Sequence, residues 1–235
     1  MDTQSVPERR APWIARVHQP PDTRIFSPSG SLHITVEADF ALAFIAPILP
    51  DFLDRYPEVQ VRLDMSAGMM DLVHSGIDLA IRVGHLDDSS LIARKIATSH
   101  SLVCASPTYL DQRGTPTQPS ELEGHSCLSF RTKPGKNHWT FELPRGSLDV
   151  SISGRFNANG LVFLRNAALA GLGVIMIPTW MIRDDLKRGH LVPLLEDFPL
   201  VPSSTPIHAV FAHNRHLAPK VRAFVDFLAD RMETL

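Results

Sequence analysis

The stretch SLHITVEADFALAFIAPILPDFLDRYPEVQVRLDM, residues 31–65, decides the fold class. Ser31 to Val36 carries the β-branched, alternating pattern of a strand. Phe40 to Tyr56 places Phe40, Phe44, Ile45, Ile48, Leu49, Phe52 and Leu53 at helical spacing. Asp39 stands where a helix N-cap belongs. Pro47 and Pro50 predict a kinked or broken helix, because proline lacks a donor and crowds the preceding turn. Val59 to Met65 alternates again, as a half-buried strand does. Strand, helix and strand joined by short links predict a βαβ unit and a parallel sheet.

Working outward, Ile77 to Val83, Leu91 to Ala97 and Ser101 to Ala105 read as further strands. Met69 to His74 reads as a short helix stopped at Gly76. Residues 106–136 are punctuated by proline and glycine, and they read as an irregular connection. Beyond it lie short strands at Cys127 to Phe130, His138 to Phe141 and Leu148 to Ser153. The helix Leu161 to Ala170 is ended by Gly171, and Val174 to Ile177 is a buried strand. Thr179 to Arg188 is a helix closed at Gly189, and Leu191 to Leu194 is a short strand. A second irregular stretch contains Pro199, Pro202 and Pro206. The strand Ile207 to Ala212 and the amphipathic helix Leu217 to Met232 complete the chain. If that last pair returns to the first block, two α/β lobes result: residues 31–105 with 207–235, and residues 106–206. Two crossovers, near 105 and near 206, leave a cleft and a hinge suited to a small ligand. Residues 1–30 hold five of the 19 prolines and read as an extended arm or linker, with docking of Trp13, Ile14 and Val17 as the alternative.

Composition narrows the function. The 235 residues carry 23 Lys plus Arg against 25 Asp plus Glu, a net charge of −2. A chain that grips nucleic acid usually shows a basic excess, so specific duplex binding by these residues is not expected. Cys104 and Cys127 read as buried small hydrophobes rather than a disulfide framework or a thiolate metal site. The longest nearly apolar run, Ala167 to Ile177, is too short to span a membrane. No secretory signal follows Arg9 and Arg10, so a cytoplasmic location is expected. His213-Asn214-Arg215-His216 reads as a turn, with metal binding the lesser alternative. Ala170-Gly171-Leu172-Gly173 follows a helix and precedes a strand, the reverse of a dinucleotide site, and reads as a glycine C-cap. No nucleophile, metal or phosphate motif marks an enzyme, and no cofactor is expected.

Five stretches look familiar: SPSGSLHIT (27–35), DLAIRVG (78–84), VCASPTYL (103–110), ALAGLGV with Ile177-Pro178 (168–178), and LAPKVRAFVDFL (217–228). In this order they resemble the effector-binding domain of LysR-type transcriptional regulators, closest to the branch that includes glycine-cleavage-type activators. The resemblance implies a two-lobe type 2 periplasmic-binding-protein-like α/β fold with a central cleft and two crossover strands. It implies a small-molecule effector between the lobes, with lobe movement controlling DNA binding through a helix-turn-helix that this chain does not carry. It also implies a homodimer in which the helix Phe40 to Tyr56 packs against the helix Leu161 to Ala170 of a second copy. A transporter's solute-binding protein and an enzyme on the same architecture are the rival readings.

In relatives a hydroxyl often stands where Asp39 falls, and with free helix N–H groups it can hold an effector carboxylate. Asp39 puts a carboxylate there instead, either facing the ligand or capping its own helix. It repels a second carboxylate and favours a neutral or cationic effector, although Arg82, His100 or Arg131 could offset that. Helix starts and strand C-terminal ends meet on one side of an α/β sheet. The expected effector wall is therefore Asp39, Phe40, Ser66, Arg82, Val83, Gly84, Phe130 and Asn159. Asn157 and Asn159, before the helix Leu161 to Ala170, could cap it or bond a ligand. Phe130 and Trp139 could line the cleft or pack in the core.

Overall fold

The computed structural model describes residues 27–66, 75–86, 91–130, 137–212 and 217–232. Most of the arm, the Met69 to His74 helix, Arg131 and the His213 to His216 turn lie outside these residues.

The opening stretch folds as its pattern predicts. Strand β1 (Gly30–Val36) turns Leu32, Ile34 and Val36, all fully buried, toward one face. It runs parallel to β2 (Val59–Met65), with Val36 beside Met65. β3 (Leu79–Val83) lies parallel on its other side, with Thr35 beside Ala80. The intervening helix is continuous but changes pitch. A short α1 (Ala38–Phe40) passes into a π turn (Ala41–Ile45) and then α2 (Ala46–Arg55). The π turn has the Ala46 N–H reaching back to the Ala41 carbonyl. Pro47, one residue further on, can donate nothing and would crowd an ordinary α turn, so the wider turn absorbs it.

β4 (Ile92–Ser99) and β12 (Thr205–Phe211) pair antiparallel, and the first sheet runs β2-β1-β3-β12-β4. The C-terminal helix α6 (Pro219–Met232) covers its core, where Phe224 meets Phe52 edge-on at 5.0 Å between ring centroids. The return of β12 and α6 to the first sheet makes the middle of the chain an insertion, as the sequence predicts.

The second sheet holds β5 (Ser101–Ala105), β6 (Cys127–Phe130), β9 (Asn157–Ala158), β10 (Val174–Pro178) and β11 (Val192–Leu194) in the order β11-β5-β10-β6-β9. A hairpin of β7 (His138–Leu143) and β8 (Gly146–Ser151) packs Trp139, Phe141 and Val150 onto one face. Helices α4 (Leu161–Leu169) and α5 (Thr179–Lys187) pack onto the other. Gly171, at φ 78°, closes α4, and the Leu172 N–H bonds back to Ala167.

Two sequence expectations need correction. Residues 101–105 were assigned to the first lobe, but β5 pairs with β10 and β11 in the second sheet. The chain therefore crosses at His100, whose ring Nδ1 lies 3.2 Å from the Ser203 carbonyl on the returning crossover. The irregular stretch after Ala105 contains α3 (Pro107–Arg113) and a 3-10 turn (Pro119–Gly124). Pro107 and Pro119 begin these elements rather than break them, because the first turn needs no N–H at that position.

Candidate functional site

β1, β2 and β3 are parallel, so their C-terminal ends share one edge of the first sheet. Ser66, just past β2, donates its N–H to the Val36 carbonyl at 2.9 Å. The next residue after Val36 is Glu37, the N-cap of α1, in extended geometry (φ −68°, ψ 139°) and without a side-chain cap. Glu37 follows β1 directly, and the Arg82 charge on β3 acts on its carboxyl. The Arg82 guanidinium reaches back to the carbonyls of Ile81 (3.2 Å) and Ser66 (3.5 Å).

This wall is partly desolvated. Burial raises the Glu37 carboxyl above the usual glutamate range, the Arg82 charge opposes that shift, and Asp39 adds to it. Burial lowers Arg82, and Glu37 partly offsets it. In the antiparallel β3/β12 pairing His208 lies directly opposite Arg82. Its buried Nδ1 has no hydrogen-bond partner among the described residues.

Asp39 does not cap its own helix. Its carboxylate accepts the backbone N–H of Leu161 at 2.5 Å and that of Val162 at 3.4 Å, the start of α4 in the second lobe. The N-cap of α4 is Gly160, and no side chain caps it locally, so neither Asn157 nor Asn159 takes that role. Asp39 thus meets the α4 start across the lobes, while Arg82 reaches Ser66 at the strand ends of the first sheet.

The other expected wall residues are placed differently. Phe40 is only 1% exposed, and its ring faces Phe44 and Trp180, so it belongs to the seam between lobes rather than to an open surface. Val83 packs against the first core. The Gly84 N–H donates to Pro206 at 2.9 Å, at the crossover. Asn159 is exposed two residues before Leu161. Phe130, at the end of β6, is 40% exposed, whereas Trp139 is in the core. Cys104 and Cys127 are free and buried, and burial pushes both thiols up to about 12.

Glu37 and Trp180 were missed by sequence reasoning. Glu37 directly follows β1, and His208, the second residue of IHAVFA, lies opposite Arg82. A hollow of about 460 Å³ also lies between the first helix and α4, α5 and α6, lined in part by Phe44, Arg165, Trp180 and Lys187. Among the described residues no group of His, Cys, Asp or Glu is arranged to hold a metal ion. No helix among them is long and apolar enough to cross a membrane.

Two α/β lobes, two crossovers and a polar wall at the strand ends define a two-lobed ligand-binding domain of the periplasmic-binding-protein type. Residues 27–233 match the LysR substrate binding domain, and the chain belongs to that family. The regulator CrgA of Neisseria meningitidis serogroup B is 34% identical over 206 residues, covering 87% of this chain and 68% of that protein. The structure of the CrgA regulatory domain superposes with a TM-score of 0.77 at 34% identity, covering 87% of this chain and all of that one. Full-length AphB, a Vibrio cholerae virulence activator, gives 0.76 at 31% identity over 89% of this chain and 71% of that one. These relatives are transcriptional regulators, and they favour neither the transporter nor the enzyme reading.

Proposed function

We propose that this domain senses a small molecule held between its lobes, at the wall formed by Glu37, Asp39, Ser66 and Arg82 facing the start of α4. The observation that carries this reading is the meeting of strand ends from one lobe and a helix start from the other at one polar, partly desolvated place. Binding there favours one lobe arrangement only by its differential affinity for that arrangement. The change passes to a helix-turn-helix part of the kind the relatives' names carry, which supplies the DNA contact. No catalytic step is assigned.

The assembly is a homodimer in the cytoplasm. Leu42 on the π turn is 60% exposed and Phe163 on α4 is 70% exposed, and an isologous pairing of those two helices covers both. A thermal-shift screen of small metabolites tests the sensor. A hit raises Tm in the wild type and loses its effect in Arg82→Gln, which removes the guanidinium and its charge but keeps a polar side chain. Hits that stabilise both proteins equally place the ligand elsewhere and overturn this site.

A further inference from the structure

The lobes are joined across the cleft by a charge that the chain itself provides. Asp39 lies in the first turn of α1, where the backbone carbonyl of Glu37 already takes the Ala41 N–H. Its carboxylate is therefore free of local duty and spans 122 positions of sequence to the N–H groups of Leu161 and Val162. α4 is nine residues long, and its N-cap, Gly160, has no side chain to offer. The unpaired N–H groups of its first turn need an acceptor, and the helix dipole favours a negative one. The acceptor comes from the opposite lobe.

A second set of contacts backs this one. Phe40 and Phe44, one residue and one further turn along the same helix, meet the Trp180 ring with centroids at 6.1 and 5.1 Å. A polar latch and an apolar seam thus hold the same helix of the first lobe against α4 and α5 of the second.

We propose that Asp39 is a tethered carboxylate seated on α4, which holds the lobes together without an effector and determines the class of effector admitted. A ligand carboxylate cannot share that seat, because it would meet the Asp39 charge at contact distance and find the two N–H groups already used. The cleft therefore admits neutral or cationic small molecules. This second half rests on reading the cleft as the effector site, whereas the latch itself does not.

Amide hydrogen exchange on the whole chain tests both halves without any effector. The amides of Leu161 and Val162 are compared in wild type, Asp39→Asn and Asp39→Ala, with Ile34 and Ile175 as reporters that each lobe remains folded. The expected result is exchange at Leu161 and Val162 about tenfold faster in Asp39→Ala, with the two reporters unchanged. Asp39→Asn, which keeps an acceptor but not the charge, falls between. Added acetate, a free carboxylate of the same chemistry, restores protection in Asp39→Ala and leaves the wild type unchanged. Equal exchange in wild type and Asp39→Ala overturns the latch. Acetate that protects the wild type as well as the variant, or that protects neither, overturns the assignment of effector class. Failure of the metabolite screen alone touches the sensor and leaves the latch standing.

Discussion

Trp180 of α5 donates its indole N–H to the Ser99 hydroxyl at 3.0 Å. Ser99 is the last residue of β4, only 3% exposed, and the chain crosses between lobes at the next residue. The bond therefore fixes the second lobe to the root of the hinge, beside the seam formed with Phe40 and Phe44. Trp180→Phe keeps the ring contacts and removes the donor. It should cost about 1 kcal/mol in urea unfolding. Trp180→Ala removes the ring too and should cost about 3 kcal/mol. A Trp180→Phe protein as stable as wild type shows that the bond contributes nothing.

The fork of Arg165 on Asp185 ties α4 to α5 within the second lobe, with N–O distances of 2.5 and 2.8 Å. Asp185 is only 4% exposed, so its carboxylate depends on that partner. Arg165→Met strands the charge and should destabilise by about 3 kcal/mol, whereas Arg165→Met with Asp185→Leu should recover most of the loss. Arg165→Lys should fall between, because a point charge cannot reproduce two parallel bonds. Chemical denaturation of the wild type and the three variants gives the comparison. A double variant as unstable as Arg165→Met sinks the argument.

Local pattern made the first lobe legible. The alternation of Leu32, Ile34 and Val36, the helical spacing of Phe40 to Leu53 and the second alternation after Val59 each depend on residues a few places apart. The same reasoning singled out Ser66 and Arg82, which the fold brings within 3.5 Å of each other. What stayed hidden was pairing at a distance. Nothing local in SLVCA says that β5 joins the second sheet, because a strand's sheet is chosen by partners such as Ile175. Asp39 was left between facing a ligand and capping its own helix, because an N-cap rule sees only the next three residues. Its actual partner, Leu161, is held there by the docking of two lobes. The prolines of residues 106–136 read as punctuation of an irregular connection, although Pro107 suits the first turn of a helix.

Glu37 supplies a pH-dependent prediction. Its carboxyl is raised above the ordinary value of 4.5, chiefly because burial disfavours the charged form, with Asp39 adding to the shift and Arg82 opposing it. A carboxyl raised in the folded state binds its proton more tightly there than in the unfolded chain. Its contribution to stability is therefore complete below the unfolded value and is lost as pH rises through the folded one. Glu37→Gln removes this dependence and keeps the shape of the side chain. The variant should thus gain on the wild type as pH is raised from about 4 to about 7, the window above the ordinary glutamate value. Arg82 works in the opposite sense, since Gln no longer balances its charge, but burial is the larger influence on Glu37. Urea midpoints of both proteins across that range read the difference directly. A difference that is flat with pH, or that falls as pH rises, shows that Glu37 stays ionised in the cleft and that Arg82, rather than burial, sets its state.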